Sequence, residues 1–297
     1  MSEGTRGYLT MAVGQQRYLE MAVDMALSLR GHTHLPIALA ADAELGKLAR
    51  ERYASAFDEV TEIPARFLDG RAIKYGAAAA SPFDAVMFVD SDCLVLGSLE
   101  YLWTGLDHAD VAMLGELLTE DENENHHGFS TRRLMRRFDL DRYLKTNSGI
   151  FCFRTGPALE IMDECLDCFV NEVRPRLRGG LLRGGWIGDE IGFGVVGGRR
   201  RLGTLPFPQP MYWPQEFAEI DVDRPNKPLL HFIWPPEPDV LDRLLADATR
   251  RRAMARVPSI GSDHWLEEVD SLRRMARRRR FLERLRIWKT RATEPED

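Results

Sequence analysis

Two carboxylates, Asp90 and Asp92, stand one residue apart at the end of the apolar run Ala85-Val86-Met87-Phe88-Val89. In a strand, residues two apart point the same way, so both acids converge just beyond the strand's carboxyl end, where one hard divalent cation fits between them. Open α/β sheets bind ligands in that crevice. Taken alone, the pair also fits a solvated turn after a buried strand.

An acid pair of this kind needs a sheet to hold it. Residues 8–13 read as a first strand, followed by a helix in which Leu19, Ala22, Val23, Ala26, Leu27 and Leu29 recur at helical spacing until Gly31. Residues 35–40 and 57–63 read as further strands, 43–56 and 73–80 as helices, and 86–89 as the central strand. Strands alternating with helices predict an α/β protein with a mainly parallel sheet flanked by helices on both faces. Residues 116–145 break the pattern with acidic, His-rich and then Arg-rich sequence around Leu134, Met135, Phe138 and Leu140, an insertion over the sheet. His126 and His127 lie among Asn and Glu, surroundings that favour solvent exposure. Residues 147–154 resume a strand and 157–173 a helix. The stretch 179–198 carries too many glycines for a stable helix, which places Gly188-Asp189-Glu190 on a loop or a strained helix start. Residues 206–238 are irregular, Pro- and aromatic-rich chain around one strand at 228–233.

From residue 240 the chain is helical and increasingly basic. Trp265, Val269, Leu272, Ala276, Leu282, Leu285 and Trp288 form one apolar stripe. The expected division is therefore a domain at 1–239 and a basic helical C-terminal extension at 240–297. Residues 273–289 hold a local charge of +8 within an overall −6, leaving −14 for the remainder. Either the stripe packs on the domain, or 265–289 lies on anionic lipid as a peripheral contact. Nucleic-acid binding is not expected, because no base-stacking aromatics interleave the arginines. At 44% hydrophobic content the chain is globular rather than disordered. No secretory leader or stretch of about 20 apolar residues is evident, which predicts a cytoplasmic protein, at most peripheral at the inner face of a membrane. Cys93, Cys152, Cys165 and Cys168 sit in apolar runs and read as buried thiols; Cys165-x-x-Cys168 lacks the further ligands of a zinc site.

Several segments fall in a recognisable order. They are Tyr8-Leu9-Thr10 with Tyr18, Phe57-Asp58-Glu59-Val60, and Lys74 sixteen residues ahead of Asp90. Asp90-Ser91-Asp92-Cys93-Leu94-Val95-Leu96 follows with Leu99 and Leu102-Trp103, then Asn147-Ser148-Gly149, Gly188-Asp189-Glu190 and His231-Phe232. Together, over residues 8–234, they resemble nucleotide-sugar glycosyltransferases of the GT-A (Rossmann-like) fold, specifically the retaining glycosyltransferase family 8 that includes glycogenin and bacterial lipooligosaccharide galactosyltransferases.

The resemblance implies a transferase that moves a hexose from a UDP-sugar, UDP-glucose or UDP-galactose, to an acceptor with retention at the anomeric carbon. The acceptor, whether glycan, lipid-linked or protein, is not legible. Asp90, Asp92 and His231 would hold Mn²⁺ or Mg²⁺ on the diphosphate, the imidazole favouring Mn²⁺. Lys74 would add positive charge beside the phosphates, and Tyr18 would stack on uracil beside Thr10. Ser91, Asn147, Ser148, Gly149 and Asp189 would line the donor. Two departures stand out. The family usually carries Gln after the Asp of the sugar loop, where this chain has Glu190; a carboxylate there could stabilise or attack the anomeric centre, making Glu190, with Asp189, the catalytic candidate. The family's phosphate-binding Lys after His-Phe is also absent, with Lys227 or an arginine as substitutes. Each residue has a plainer reading too: His231 as a core histidine, Lys74 as a surface residue, Tyr18 as packing, residues 147–149 as a turn, Glu190 as a helix-start carboxylate. Two other functions compete. A haloacid dehalogenase-type phosphatase also carries Asp-x-Asp after a strand, but it would want a second acid where Phe193 stands. A non-catalytic nucleotide-sugar or membrane-surface binding module is the third reading.

Overall fold

A computed structural model describes residues 4–68, 70–181, 187–258 and 263–291. The chain opens with β1 (Arg6–Ala12), α1 (Gln16–Arg30), β2 (Ile37–Ala41), α2 (Ala43–Arg52) and β3 (Glu59–Glu62). A 3-10 turn at Gly70–Gly76 and the short α3 (Ala77–Ala80) then lead into β4 (Ala85–Val89) and β5 (Cys93–Val95). The helix expected over 73–80 is thus a tighter 3-10 turn in its first half and α-helix in its second, and Lys74 sits in the 3-10 turn. It presses Phe67 and Ile63 against Gly76, which has no side chain to hold them off.

The insertion begins and ends inside the sheet. β6 (Val111–Thr119) runs into it and β9 (Arg142–Arg154) runs out, paired from Glu116 with Lys145 to Thr119 with Arg142. Between them lie the hairpin strands β7 (Asn125–His126) and β8 (Phe129–Ser130) and the helix α4 (Thr131–Phe138), whose Leu134, Met135 and Phe138 are buried. Ser130 caps α4, its hydroxyl accepting from the Arg133 amide at 3.3 Å. Then follow α5 (Thr155–Cys168), a π-turn at Phe169–Val173, α6 (Arg174–Leu181) and α7 (Asp189–Arg200). β10 (Gly203–Thr204), β11 (Leu229–His231), α8 (Pro238–Met254) and α9 (Asp263–Arg291) complete the order.

Seven strands form the main sheet in the order β10-β6-β9-β4-β1-β2-β3. Its pairs are parallel except those of β9, which runs antiparallel to both β4 and β6. Side chains alternate between two buried faces: Val86 and Phe88 enter the core beneath α5 and α7, Met87 and Val89 the core beneath α1 and α2. A small sheet pairs β11 antiparallel to β5, setting His231 opposite Cys93. The four cysteines are free and buried, and burial pushes each thiol up, Cys152 and Cys168 to about 12.

α7 corrects the expectation that its glycines forbid a helix. Among them, Gly194 faces the Tyr143 ring and Gly198 the Arg142 carbonyl, where an added methyl would come within 2.4 Å and 2.2 Å. The glycines cost helix propensity of roughly 1 kcal/mol each, but they let α7 lie directly on β9.

The C-terminal helices are fastened to α1 by a buried charge network. Arg252 donates to Asp24 Oδ1 at 2.5 Å, to Glu20 Oε2 at 2.9 Å and to the Glu20 carbonyl at 2.9 Å. Asp24 Oδ2 also meets His264 Nε2 at 2.7 Å and accepts from Trp265 Nε1 at 2.8 Å. Trp265, Val269, Leu272 and Ala276 are buried, so this part of the predicted stripe packs on the protein. Leu282, Leu285 and Trp288 lie outside the side chains described. No helix among the described residues is long and apolar enough to cross a membrane.

Candidate active site

β4 ends at Val89, and the acid pair sits on the tight turn 90–92 into β5, closed by the Cys93 amide on the Asp90 carbonyl at 3.2 Å, rather than on the extended strand that the sequence predicts; two irregularities bring partners to it. The register of β9 against β6 slips between Met113 opposite Phe151 and Leu114 opposite Asn147, so residues 148–150 bulge out of that pairing. The bulge turns Ser148 and Gly149 towards β4, where the Asp90 amide donates to the Gly149 carbonyl at 2.9 Å. From the other side, the Phe232 amide donates to the Asp92 carbonyl at 2.9 Å and locks β11 alongside.

His231 Nε2 lies 3.1 Å from Asp92 Oδ1 and 4.0 Å from Asp90 Oδ2. Its other nitrogen, Nδ1, is buried without a hydrogen-bond partner among the described residues. A methyl on Gly149 would come within 2.4 Å of that nitrogen, so only glycine admits the ring. Lys74 Nζ is 2.5 Å from Asp90 Oδ2 and 3.8 Å from Asp189 Oδ2, and it donates to Ser148 Oγ at 2.9 Å. Asp189 Oδ2 is otherwise unpaired in a buried position. Burial pushes Asp90 above its usual range, Lys74 opposing and Asp92 reinforcing. At Asp92 burial pulls the same way, but His231 and Lys74 outweigh it and hold the carboxyl low. Burial disfavours charge on His231 and on Lys74, yet the acids around them raise both.

Two distant chain segments therefore present two carboxylates and an imidazole to one point. Such oxygen and nitrogen donors suit Mn²⁺ or Mg²⁺, with the buried, protonated Cys93 thiol excluded. Those residues could hold a divalent cation.

Asp189 and Glu190 start α7. The 3-10 turn fixes their approach: Tyr75 donates to the Asp189 carbonyl at 2.6 Å and Arg71 to the Ile187 carbonyl at 2.8 Å. Glu190 Oε1 accepts from the Ser148 amide at 2.9 Å. Glu190 Oε2 contacts His127 Nε2 and lies 3.5 Å from His126 Nε2. Burial alone would raise Glu190; His126 and His127 overcome it and hold the carboxyl well below its usual range.

No protein-family model matches the chain, and no curated protein matches it. Solved structures do. The chain is similar to the galactosyltransferase LgtC in complex with donor and acceptor sugar analogs, with TM-score 0.54 and 15% identity, covering 88% of this chain and 99% of LgtC. The fold is GT-A. A glutamine-to-glutamate active-site mutant of LgtC gives TM-score 0.55 at 15% identity, over 88% and 99% of the two chains. The bifunctional glycosyltransferase WbbM gives 0.51 at 14% identity, over 83% of this chain and 50% of WbbM, so the chain spans about half of that protein.

Within this GT-A scaffold, Lys74, Asp90, Asp92, Ser148, Gly149, Asp189 and His231 converge as the sequence order implied. Ser91 is buried, its amide on Asp90 Oδ1 at 3.0 Å. Asn147 spends its side-chain oxygen on the Gly149 amide at 2.8 Å, as an Asx turn does, leaving its amide nitrogen for a ligand. Thr10 is fully buried, and its hydroxyl has no hydrogen-bond partner among the described residues. Tyr18 has one ring face covered by the Arg17 guanidinium, 4.9 Å from the centroid. Lys227 is held by Glu216 at 2.7 Å and by the Met211 carbonyl at 3.1 Å, so its ammonium does not replace the absent phosphate lysine. Phe193, where a phosphatase would need an acid, is fully buried against Tyr75.

The two histidines of the insertion correct the sequence reading. His126 is buried, not solvent-exposed, and His127 reaches Glu190. The polar composition of 120–130 misled because it serves turns and caps at the protein's edge while the imidazoles point inward. Glu268 of α9 was likewise unforeseen: it lies 3.7 Å from Arg17, and burial together with the Asp92 and Asp90 charges pushes it up.

Proposed function

We propose that this chain is a metal-dependent, retaining glycosyltransferase that transfers a hexose from a UDP-sugar to an acceptor. The observation that carries the reading is the meeting of Lys74, Asp90, Asp92 and His231, drawn from positions far apart in sequence, in one buried cleft of a GT-A fold. Asp90, Asp92 and His231 would hold Mn²⁺ or Mg²⁺, which would supply charge neutralisation for a diphosphate leaving group. Lys74 adds a fixed positive charge on the same side. Its ammonium moves from Asp90 and Asp189 onto phosphate oxygens as the donor enters, which releases the Asp189 carboxylate for sugar hydroxyls. Asn147 offers its amide to the same sugar, and Tyr18 with Thr10 lies on the nucleotide side.

Glu190 acts at the anomeric carbon. Its ionised state is supported by the Ser148 amide and the two imidazoles, and a carboxylate there stabilises an oxocarbenium-like transition state or attacks it. The family pattern carries Gln at this place, and the glutamine-to-glutamate exchange has been made in the active site of LgtC. The galactosyltransferase likeness and the fold favour UDP-galactose or UDP-glucose as donor. The insertion 116–145 and the extension 240–297 then flank the acceptor, whose chemistry is a glycan, a lipid-linked sugar or a protein. A peripheral cytoplasmic location at anionic lipid fits the basic charge of 273–289.

The direct test is a panel of nucleotide sugars scored by thermal stabilisation with and without Mn²⁺, followed by UDP release from the best binder. Stabilisation by a UDP-hexose only when Mn²⁺ is present supports the reading. Phosphate release from simple phosphomonoesters without any sugar nucleotide would replace it with the phosphatase.

A further inference from the structure

His127 occupies the tip of a two-residue hairpin turn between β7 and β8, with Gly128 beside it. Both have positive φ, 52° and 86°, as a tight primed turn demands. Glycine meets that demand freely, and asparagine is the usual second choice; histidine is strained there by roughly 1 kcal/mol. The strained residue is also the one whose side chain is aimed at Glu190 Oε2. The hairpin itself is fixed. The Thr131 amide donates to the Glu124 carbonyl at 2.9 Å, Glu124 pairs with Lys145 of β9, and His126 is anchored through both ring nitrogens, to Tyr143 Oη at 2.7 Å and the Thr146 carbonyl at 3.0 Å. With both nitrogens of His126 engaged, the His126–His127–Glu190 cluster lacks the vacant lone pairs of a second metal site.

We propose that His127 is a positioning residue for Glu190: delivered by the insertion hairpin, its imidazole holds Oε2 while the Ser148 amide holds Oε1, fixing the carboxylate in one orientation. This rests on the reading of Glu190 as the catalytic carboxylate. The hairpin that borders the acceptor side thereby sets the geometry of the group that works on the donor, a coupling that no local sequence pattern records. A carboxylate clamped at both oxygens needs no rotamer search when donor arrives, and misplacement by about 1 Å costs a reaction of this kind as much as ~10²-fold.

Two substitutions separate the hydrogen bond from the backbone. His127→Asn keeps a residue at ease in the left-handed conformation but too short to reach Oε2; His127→Gln strains the turn but places an N–H near the former Nε2. Acceptor-free hydrolysis of UDP-galactose or UDP-glucose with Mn²⁺ is the readout. The expected result is a kcat lowered by about 10 to 10²-fold in His127→Asn with donor KM changed by less than about 2-fold, and recovery in His127→Gln to within about 3-fold of the parent. Backbone strain alone predicts the reverse order, and that order would overturn the proposal. Combining His127→Asn with Glu190→Gln should be no worse than Glu190→Gln alone. Where hydrolysis is too slow to follow, the Glu190 carboxyl ¹³C titration serves instead: its midpoint rises in His127→Asn, and an unmoved midpoint overturns the proposal. A second bound Mn²⁺ lost in both variants would do the same. Full activity in Glu190→Gln removes the catalytic reading itself, whereas a slow Glu190→Gln beside an unimpaired His127→Asn removes only the role of His127.

Discussion

Two buried clusters of acids, one beneath the C-terminal helices and one at the end of β4, are built to different rules. In the network of Glu20, Asp24, Arg252 and His264, every carboxylate oxygen has a donor: Arg252, His264, Trp265, Gln16 or Tyr53. In the cluster of Asp90, Asp92, Asp189, Lys74 and His231, acids crowd acids, and Asp189 Oδ2 and His231 Nδ1 have no hydrogen-bond partner among the described residues. His264 Nδ1 also lacks a hydrogen-bond partner among the described residues, so the contrast lies in the acids: carboxylates that are all met serve stability, while a carboxylate left unmet beside other acids keeps an acceptor for a further donor or cation. The distinction is one of satisfaction, not of composition, since both contain acids, a histidine and one long cation.

The largest expected contrast comes from removing that cation. Arg252→Met strands two acids at under 3% exposure and should cost about 3–5 kcal/mol in urea unfolding, whereas Lys74→Met, whose partners Asp90 and Asp189 keep 17% and 19% exposure to rehydrate, should cost under about half of that. Equal losses would erase the comparison. Next, Asp92→Asn should slow turnover of the UDP-sugar by about 10³-fold while leaving the urea midpoint unchanged or raised. A variant that loses stability in step with activity would make Asp92 a structural acid. Mn²⁺ at a hundred times its dissociation constant should stabilise the parent and Glu20→Gln alike by about 2.7 kcal/mol and leave Asp92→Asn unmoved.

The smallest effect is in the sign of the pH dependence. Burial opposes ionisation of Asp24, but His264 and Arg252 hold it below its usual 3.8, so its contribution is present above that value and lost as pH falls through the lower folded value. Asp90 is raised from 3.8, so its ionisation works against folding and is relieved as pH falls through the higher folded value. As pH falls through the carboxylate range Asp24→Asn should flatten the fall of stability with acid and Asp90→Asn should steepen it, by about 1.4 kcal/mol for each tenfold difference in acid strength between the folded and unfolded chain. Slopes that change together would contradict the opposed environments.

The fold was legible where periodicity is strong. β1, α1, β2 and β4 fall within a few residues of the spacing that predicts them, because each buries a face whose period is 2 or 3.6. The meeting of Asp90, Asp92, His231 and Lys74 was legible because an apolar run marks the strand that ends just before the acids and the order of motifs supplied the other two, although the acids lie on a turn rather than on the strand itself. Three features were not. The 3-10 turn that carries Lys74 was read as helix, because its apolar spacing mimics one. α7 forms despite its glycines because contact with Tyr143 and β9 outweighs propensity, a tertiary effect invisible along the chain. His127 meets Glu190 only through a register slip in β9 and a hairpin turn, neither of which leaves a mark in local composition.

The fastening of α8 and α9 to α1 bears on where this protein can be cut. A chain ended at residue 239 would leave Glu20 and Asp24 facing an empty trough without their guanidinium, and the Phe232 ring, which rests on Trp265 at 4.4 Å, bare to water just beyond His231. The packed unit therefore runs past residue 239, where the sequence places the end of the domain, to at least Ala276, and the C-terminal helices act as a keel for α1 and β11.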